Sequence, residues 1–173
     1  KIFVFASTGG AMYKENMDPC LEDITPILPK SPYGISKYCA EQYVSYFERI
    51  TSMRTVSLRL ANIYGPRQDP RSEAGVVAIF CTQMREKRQP VIFGSGEQTR
   101  DFVYVQDAVQ ALMKALHQSN AHGCYNIGTG QKTSINALYH CIADMLKFEG
   151  KASYLPAVSE EYMHSCLDPQ KAE

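Results

Sequence analysis

Tyr33 and Lys37, in the run Ser31-Pro32-Tyr33-Gly34-Ile35-Ser36-Lys37, carry the most specific chemistry in the chain. Four residues apart on a helix, they share one face and nearly touch. A free phenol is a poor base near neutrality. A lysine ammonium about 5 Å away favours the phenolate, and the unsatisfied N–H groups of a first helical turn add positive potential. The pair therefore points to proton abstraction from a hydroxyl. The same spacing also arises on plain surface helices, so its context matters. Ser7 and Thr8 follow an apolar run from Ile2 to Ala6 that reads as a buried strand. Ligands of α/β sheets bind at the carboxyl ends of strands, so these two hydroxyls are expected to hydrogen-bond the oxygen that Tyr33 deprotonates. Taken alone, Ser7-Thr8-Gly9-Gly10 is more often a simple strand-to-loop turn.

The elements that must hold these groups follow from the pattern of the chain. Ser31 is a natural N-cap and Pro32 a natural first helical residue. The helix they open runs to Ile50, with a stripe of Ile35, Cys39, Tyr43, Tyr46, Phe47 and Ile50. Residues 11–30 read as loop, broken by Pro19, Pro26 and Pro29 and solvated by Glu15, Asp18, Glu22 and Asp23. Strands are expected at Thr55 to Leu60, Pro90 to Phe93, Asp101 to Val105, Cys124 to Ile127 and Ser153 to Leu155. Helices are expected at Val76 to Lys87, Asp107 to His117, Ser134 to about Phe148, and again near Pro169. Asn62 to Asp69 reads as turn-rich. Strands alternating with helices of this length argue for an α/β fold with a mostly parallel sheet.

Composition narrows the function classes. The 173 residues suit one ordinary domain, with 45% hydrophobic and 21% charged residues. Lys and Arg number 18 against 18 Asp and Glu, so no basic excess exists to draw a nucleic-acid backbone. No apolar run is long enough to span a bilayer, and Lys1 to Ala6 is too short for a secretory core segment. Cys20, Cys39, Cys81, Cys124, Cys141 and Cys166 form no C-x-x-C pair and have no histidine at ligand spacing. A metal site is not expected, and reduced cysteines in a cytoplasmic protein are.

Six segments, in order, resemble the extended short-chain dehydrogenase/reductases, specifically the NAD-dependent nucleotide-sugar epimerase/dehydratase group. They are Phe5-Ala6-Ser7-Thr8-Gly9-Gly10-Ala11-Met12-Tyr13, the Ser31–Lys37 run, Leu58-Arg59-Leu60-Ala61-Asn62-Ile63-Tyr64-Gly65-Pro66-Arg67, the run from Gly94 to Val105 with Asp107 after it, Asn126-Ile127-Gly128-Thr129-Gly130, and Leu167-Asp168-Pro169-Gln170-Lys171-Ala172. The resemblance implies a partial Rossmann-type parallel sheet with helices, plus a small C-terminal α/β substrate-binding region. It assigns residues 1–65 to the remainder of an NAD-binding domain and 66–173 mainly to nucleotide-sugar binding, with a strand returning to the main sheet.

The resemblance also implies roles. Tyr33 would take the proton from the sugar 4-hydroxyl as NAD accepts the C4 hydride. Lys37 would bind the nicotinamide ribose, and Thr8, with Ser7 as second candidate, would bridge the 4-oxygen. Tyr64 would lie near the cofactor. Asn62 and Arg100 would contact the diphosphate; Val76, Val77 and the Gln89–Phe93 stretch would line the uridine pocket; Asp168 would join the substrate site. The expected activity is NAD-dependent C4 epimerisation of a UDP-glucose/UDP-galactose type substrate by a homodimer. UDP-glucuronate decarboxylation or epimerisation, another nucleotide-sugar oxidoreduction, or a non-catalytic remnant keeping a sugar-nucleotide pocket are the alternatives. Plainer readings stand beside some assignments: Asn62 as a turn former, Asp101 as a local anchor or partner of Arg100, Asp107 as a cap or first-turn acid, Asn126 as a loop tie, Tyr13 and Tyr104 as packing residues.

The sequence departs from the group in three respects. The glycine-rich cofactor fingerprint is absent, so roughly a hundred further residues are expected ahead of Lys1, and little stable NAD binding by these 173 residues alone. Gly9-Gly10 follow Thr8 where the dehydratase branch carries Asp-Glu, which points to an epimerase. Val158, Glu160 and Met163 stand where the group's pattern has Arg, Gly and Arg, while Glu161 matches the acid; lost cations should weaken or redirect phosphate-linked substrates.

Overall fold

The structure is a computed structural model that describes residues 1–15, 17, 19–71, 75–157 and 162–173. Asp18, Val158, Glu160 and Glu161 lie outside the described residues. The elements, in chain order, are β1 (Ile2–Thr8), α1 (Pro32–Ile50), β2 (Arg54–Leu60), β3 (Asn62–Tyr64), α2 (Val76–Arg85), β4 (Val91–Phe93), β5 (Thr99–Arg100), β6 (Phe102–Tyr104), α3 (Val105–His117), β7 (Gly123–Ile127), β8 (Thr133–Ser134), α4 (Ile135–Leu146), β9 (Ser153–Leu155) and a single 3-10 turn at Gln170–Ala172.

Three strands form the main sheet in the order β1-β2-β7, all parallel. The central strand β2 is buried on both sides, and its two faces differ in chemistry. Val56 and Leu58 pack with Ala115 of α3 and Ile127 of β7, with Val4, Leu60 and Leu112 against them. The alternate residues Thr55, Ser57 and Arg59 are buried polar groups turned to the side of α1. Two helices thus cover opposite faces of a parallel sheet, as α/β layering requires. Arg54 ties α3 to β2, donating to the carbonyls of Ala115 at 3.0 Å, Ala121 at 2.9 Å and Leu116 at 3.0 Å.

A second core gathers Phe80 and Met84 of α2, Ile92 of β4, and Ile135, Tyr139, Ile142 and Ala143 of α4. Around it lie the parallel pair β4-β9 and the antiparallel pair β5-β8. The parallel pair β3-β6 lies between these parts in the chain.

The pattern-based expectations hold for the long elements and differ at shorter ones, among them the paired strands β5 and β8, which lie outside every expected strand. The turn-rich stretch beginning at Asn62 opens with β3, because Asn62 N–H donates to Asp101 O and a parallel ladder with β6 follows. α3 starts at Val105, with Asp107 in its first turn, where an acid favours the helix dipole. The helix expected near Pro169 is one 3-10 turn.

Candidate active site

α1 begins where its sequence dictates. Ser31 Oγ accepts the Gly34 N–H at 3.1 Å, and Pro32 fills a position that needs no N–H donor. The start of the helix lies against the chain that leaves β1. This close approach depends on Gly34, since a Cβ there would fall 2.1 Å from the Ala11 carbonyl oxygen.

Tyr33 and Lys37 are thereby carried to the carboxyl end of β1. Lys37 Nζ donates to the Ala6 carbonyl at 2.9 Å. It also lies 5.0 Å from the Phe5 ring centroid and 5.9 Å from that of Tyr33. The Tyr33 side chain is 54% exposed, so its phenol is open to a ligand. Ser7 and Thr8 are 4% and 7% exposed, and Ser7 Oγ has no hydrogen-bond partner among the described residues. β1, β2 and β7 end together at Thr8, Leu60 and Ile127, with Gly9 N donating to Leu60 O and Ala61 N to Ile127 O, both at 2.9 Å.

The other expected site residues divide between the two parts of the fold. Asn62 opens β3, with only Ala61 between it and the end of β2, and its Oδ1 lies 3.5 Å from where a Cβ on Gly10 would be, beside the turn after Thr8. Tyr64 ends β3, its ring 5.7 Å from that of Tyr104 and 6.5 Å from that of Phe102. Val76 and Val77 open α2 against the second core. Arg100 lies on β5, opposite Thr133, and donates to the Thr99 carbonyl at 2.8 Å. Asp168 accepts the Gln170 N–H at 2.9 Å, and its own N–H donates to Cys20 O at 2.9 Å. Met163 donates its N–H to Glu15 at 2.8 Å.

Two buried assemblies support these residues. Asp101, 1% exposed, accepts the Thr129 N–H and hydroxyl at 2.9 and 2.6 Å, the Gly130 N–H at 3.3 Å and the Leu167 N–H at 3.3 Å. It anchors the loop after β7 and the C-terminal segment at once. Close packing of Gly128 against this carboxylate leaves no room for a side chain, a Cβ falling 2.4 Å from Asp101 Oδ2.

The second assembly joins α1 to the sheet. Arg59 pairs with Glu41, its Nη2 at 2.7 Å from Oε2, while Nη1 donates to Tyr13 Oη at 2.9 Å. Tyr13 in turn donates to Asn126 Oδ1 at 2.7 Å, and Asn126 Nδ2 donates to Cys20 O at 2.8 Å. Burial would loosen the proton on Arg59, but the Glu41 hydrogen bonds and the Glu41 charge outweigh it and hold the guanidinium protonated. Burial pushes the Tyr13 phenol up to about 12 despite the pull of Arg59, so Tyr13 remains a donor. Burial, with the Glu41 charge, likewise pushes the Cys124 thiol up to about 11.

Sequence reasoning treats Tyr13 as packing and assigns Arg59 and Glu41 no role. The available signal is an arginine amid the apolar alternation of a central strand, since a buried charge needs a buried partner. Among the described residues no cluster of three metal-ligating side chains occurs, and no helix is long and apolar enough to cross a membrane.

Residues 1–128 match the model of the NAD dependent epimerase/dehydratase family. The UDP-glucose 4-epimerase of Mycolicibacterium smegmatis is 36% identical over 170 residues, covering 98% of this chain and 54% of that protein. Among solved structures, the Thermotoga maritima UDP-glucose 4-epimerase with UDP-glucose is 42% identical with a TM-score of 0.92, across 99% of this chain and 56% of that one. The Thermus thermophilus UDP-glucose 4-epimerase in complex with NAD is 36% identical with a TM-score of 0.93, across 99% of this chain and 57% of that one. The chain spans about half the length of the curated relatives it matches.

Proposed function

Because the chain belongs to the NAD-dependent epimerase/dehydratase family, we propose that its gene product inverts the C4 configuration of a UDP-hexose of the glucose/galactose type. The observation that carries this reading is the position of Lys37, hydrogen-bonded to Ala6 O at the end of β1 with the exposed Tyr33 phenol one turn away. Tyr33 accepts the proton of the sugar 4-hydroxyl and later returns it. Lys37 attracts the negative charge that develops on the Tyr33 oxygen. Thr8, with Ser7 beside it, donates a hydrogen bond to the sugar 4-oxygen, a use that suits a Ser7 Oγ without a partner among the described residues.

The same residues fit the family's cofactor. An ammonium anchored at the carboxyl edge of a parallel sheet is a donor suited to a nucleotide ribose, and Tyr64 lies on the strand that leaves this edge. When bound, NAD supplies the hydride acceptor for sugar C4. In this reading residues 1–65 belong to the cofactor domain, while residues 66–173 mainly receive the nucleotide sugar. Asn62 and Arg100 hold the diphosphate, Val76 and Val77 line the base pocket, and Asp168 borders the substrate. Arginine suits a diphosphate because its fork gives two charge-assisted bonds.

The gene product acts as a homodimer in the cytoplasm. The first part of this reading is supported by the apolar side of α1, whose Tyr43, Tyr46, Phe47 and Ile50 are all exposed; the second rests on cysteine spacing in the sequence, with no C-x-x-C pair, a usage that suits reduced thiols. The test of function is direct. The native gene product supplied with NAD should convert UDP-galactose to UDP-glucose, and a panel of UDP-sugars that are all left unchanged would refute the reading.

A further inference from the structure

Arg59 is almost completely buried, yet the chemistry above does not use its charge. Its Nε donates to both Glu41 carboxylate oxygens, at 3.1 and 3.2 Å, and its Nη2 to Oε2 at 2.7 Å. Its Nη1 reaches Tyr13 Oη at 2.9 Å and Glu22 O at 3.3 Å. Glu41 stands one helical turn beyond Lys37, as Lys37 stands one turn beyond Tyr33, so the three line one stripe of α1. In the sheet, Arg59 is in register with Ser7 of β1 on one side and Asn126 of β7 on the other. The guanidinium thus sits in the row of the sheet that reaches the site, and it grips the helix that carries the proposed base.

A buried ion pair is no strong source of stability, since apolar pairs of similar volume often do as well. What the planar fork adds is direction, because its donors meet a carboxylate in one orientation. We propose that Arg59 is a positioning residue for Tyr33 and Lys37: through Glu41 it fixes the height and roll of α1 over the end of β1. The inference rests on the epimerase reading for its catalytic consequence, but not for its structural one. A point charge at position 59 would neutralise Glu41 equally well and would not orient it.

Arg59→Lys in the native gene product separates these roles. The charge is kept and the fork is lost. Misplacement of the base should lower kcat about tenfold or more, with KM for the UDP-sugar within about threefold. Amide hydrogen exchange over residues 34–41 should quicken about tenfold, while that of α4 stays unchanged. If Arg59→Lys does not fold, the double substitution Glu41→Met with Arg59→Met restores an apolar pair, and the same loss of kcat and protection is expected in the folded protein. An unchanged kcat, or unchanged exchange over residues 34–41, overturns the proposal. The exchange measurement needs no substrate: a native gene product without epimerase activity removes the functional reading, while exchange still decides whether Arg59 holds the helix.

Discussion

Gly34 rests directly against the carbonyl oxygen of Ala11: a Cβ at position 34 would come within 2.1 Å of that oxygen and 2.9 Å of Pro29 Cβ. Backbone cannot yield as a flexible side chain does, so α1 begins where it does only because this residue has no side chain. Tyr33 is its neighbour in the chain, and Lys37, bonded to Ala6 O, is one turn on. The position of the proposed base is therefore fixed from both ends of the first helical turns.

Gly34→Ala should push the start of α1 away from the β1 exit. A cost of about 1–3 kcal/mol is expected from overpacking, with a fall in kcat for the UDP-sugar. Ile35→Ala, at a side chain 50% exposed, is the control and should shift stability by about 0.5 kcal/mol or less. Thermal melts and steady-state rates of the two variants check this.

Much of this was legible in the residues. Ser31-Pro32 gives the start of α1 because both residues suit a helix N-terminus without tertiary help, and the structure keeps that cap. The apolar run after Lys1 reads as strand because no other local structure suits it, and the parallel sheet follows from the alternation of elements. What local pattern cannot supply is pairing across distance. β3 exists because Asn62 to Tyr64 meet Phe102 to Tyr104, and no residue near Asn62 announces a partner so far along the chain. The stripe on α1 is real as a pattern, but its Tyr43 and Ile50 face outward while Glu41 faces inward. Periodicity alone leaves open whether an apolar side meets the core or a second surface; the buried pair of Glu41 with Arg59 shows which side turns inward.

Stability should fall at alkaline pH through two buried groups. The folded Tyr13 phenol lies at about 12 against an ordinary 10.0, so its contribution is complete below pH 10 and is lost as pH rises through 12. The Cys124 thiol lies at about 11 against 9.0, and its contribution is lost between pH 9 and 11. Each loss is roughly 3 kcal/mol. Denaturant unfolding from pH 8 to 12 should show the decline, and Cys124→Ala should remove its earlier part.

Asp101→Asn replaces two acceptor oxygens with one and turns an N–H₂ group toward donors at Thr129, Gly130 and Leu167. Leaving buried donors unpaired should cost about 2–4 kcal/mol. The loop after β7 and the segment around Leu167 should lose amide protection together, which hydrogen exchange can read.

In the proposed reaction Tyr33 moves the proton of the reacting hydroxyl. The measurement closest to it is turnover of a UDP-hexose by the Tyr33→Phe variant of the native gene product, with bound NAD assayed in parallel. A fall in kcat of about a thousandfold is expected, with NAD binding retained. Turnover within about tenfold of the unmodified protein would contradict it.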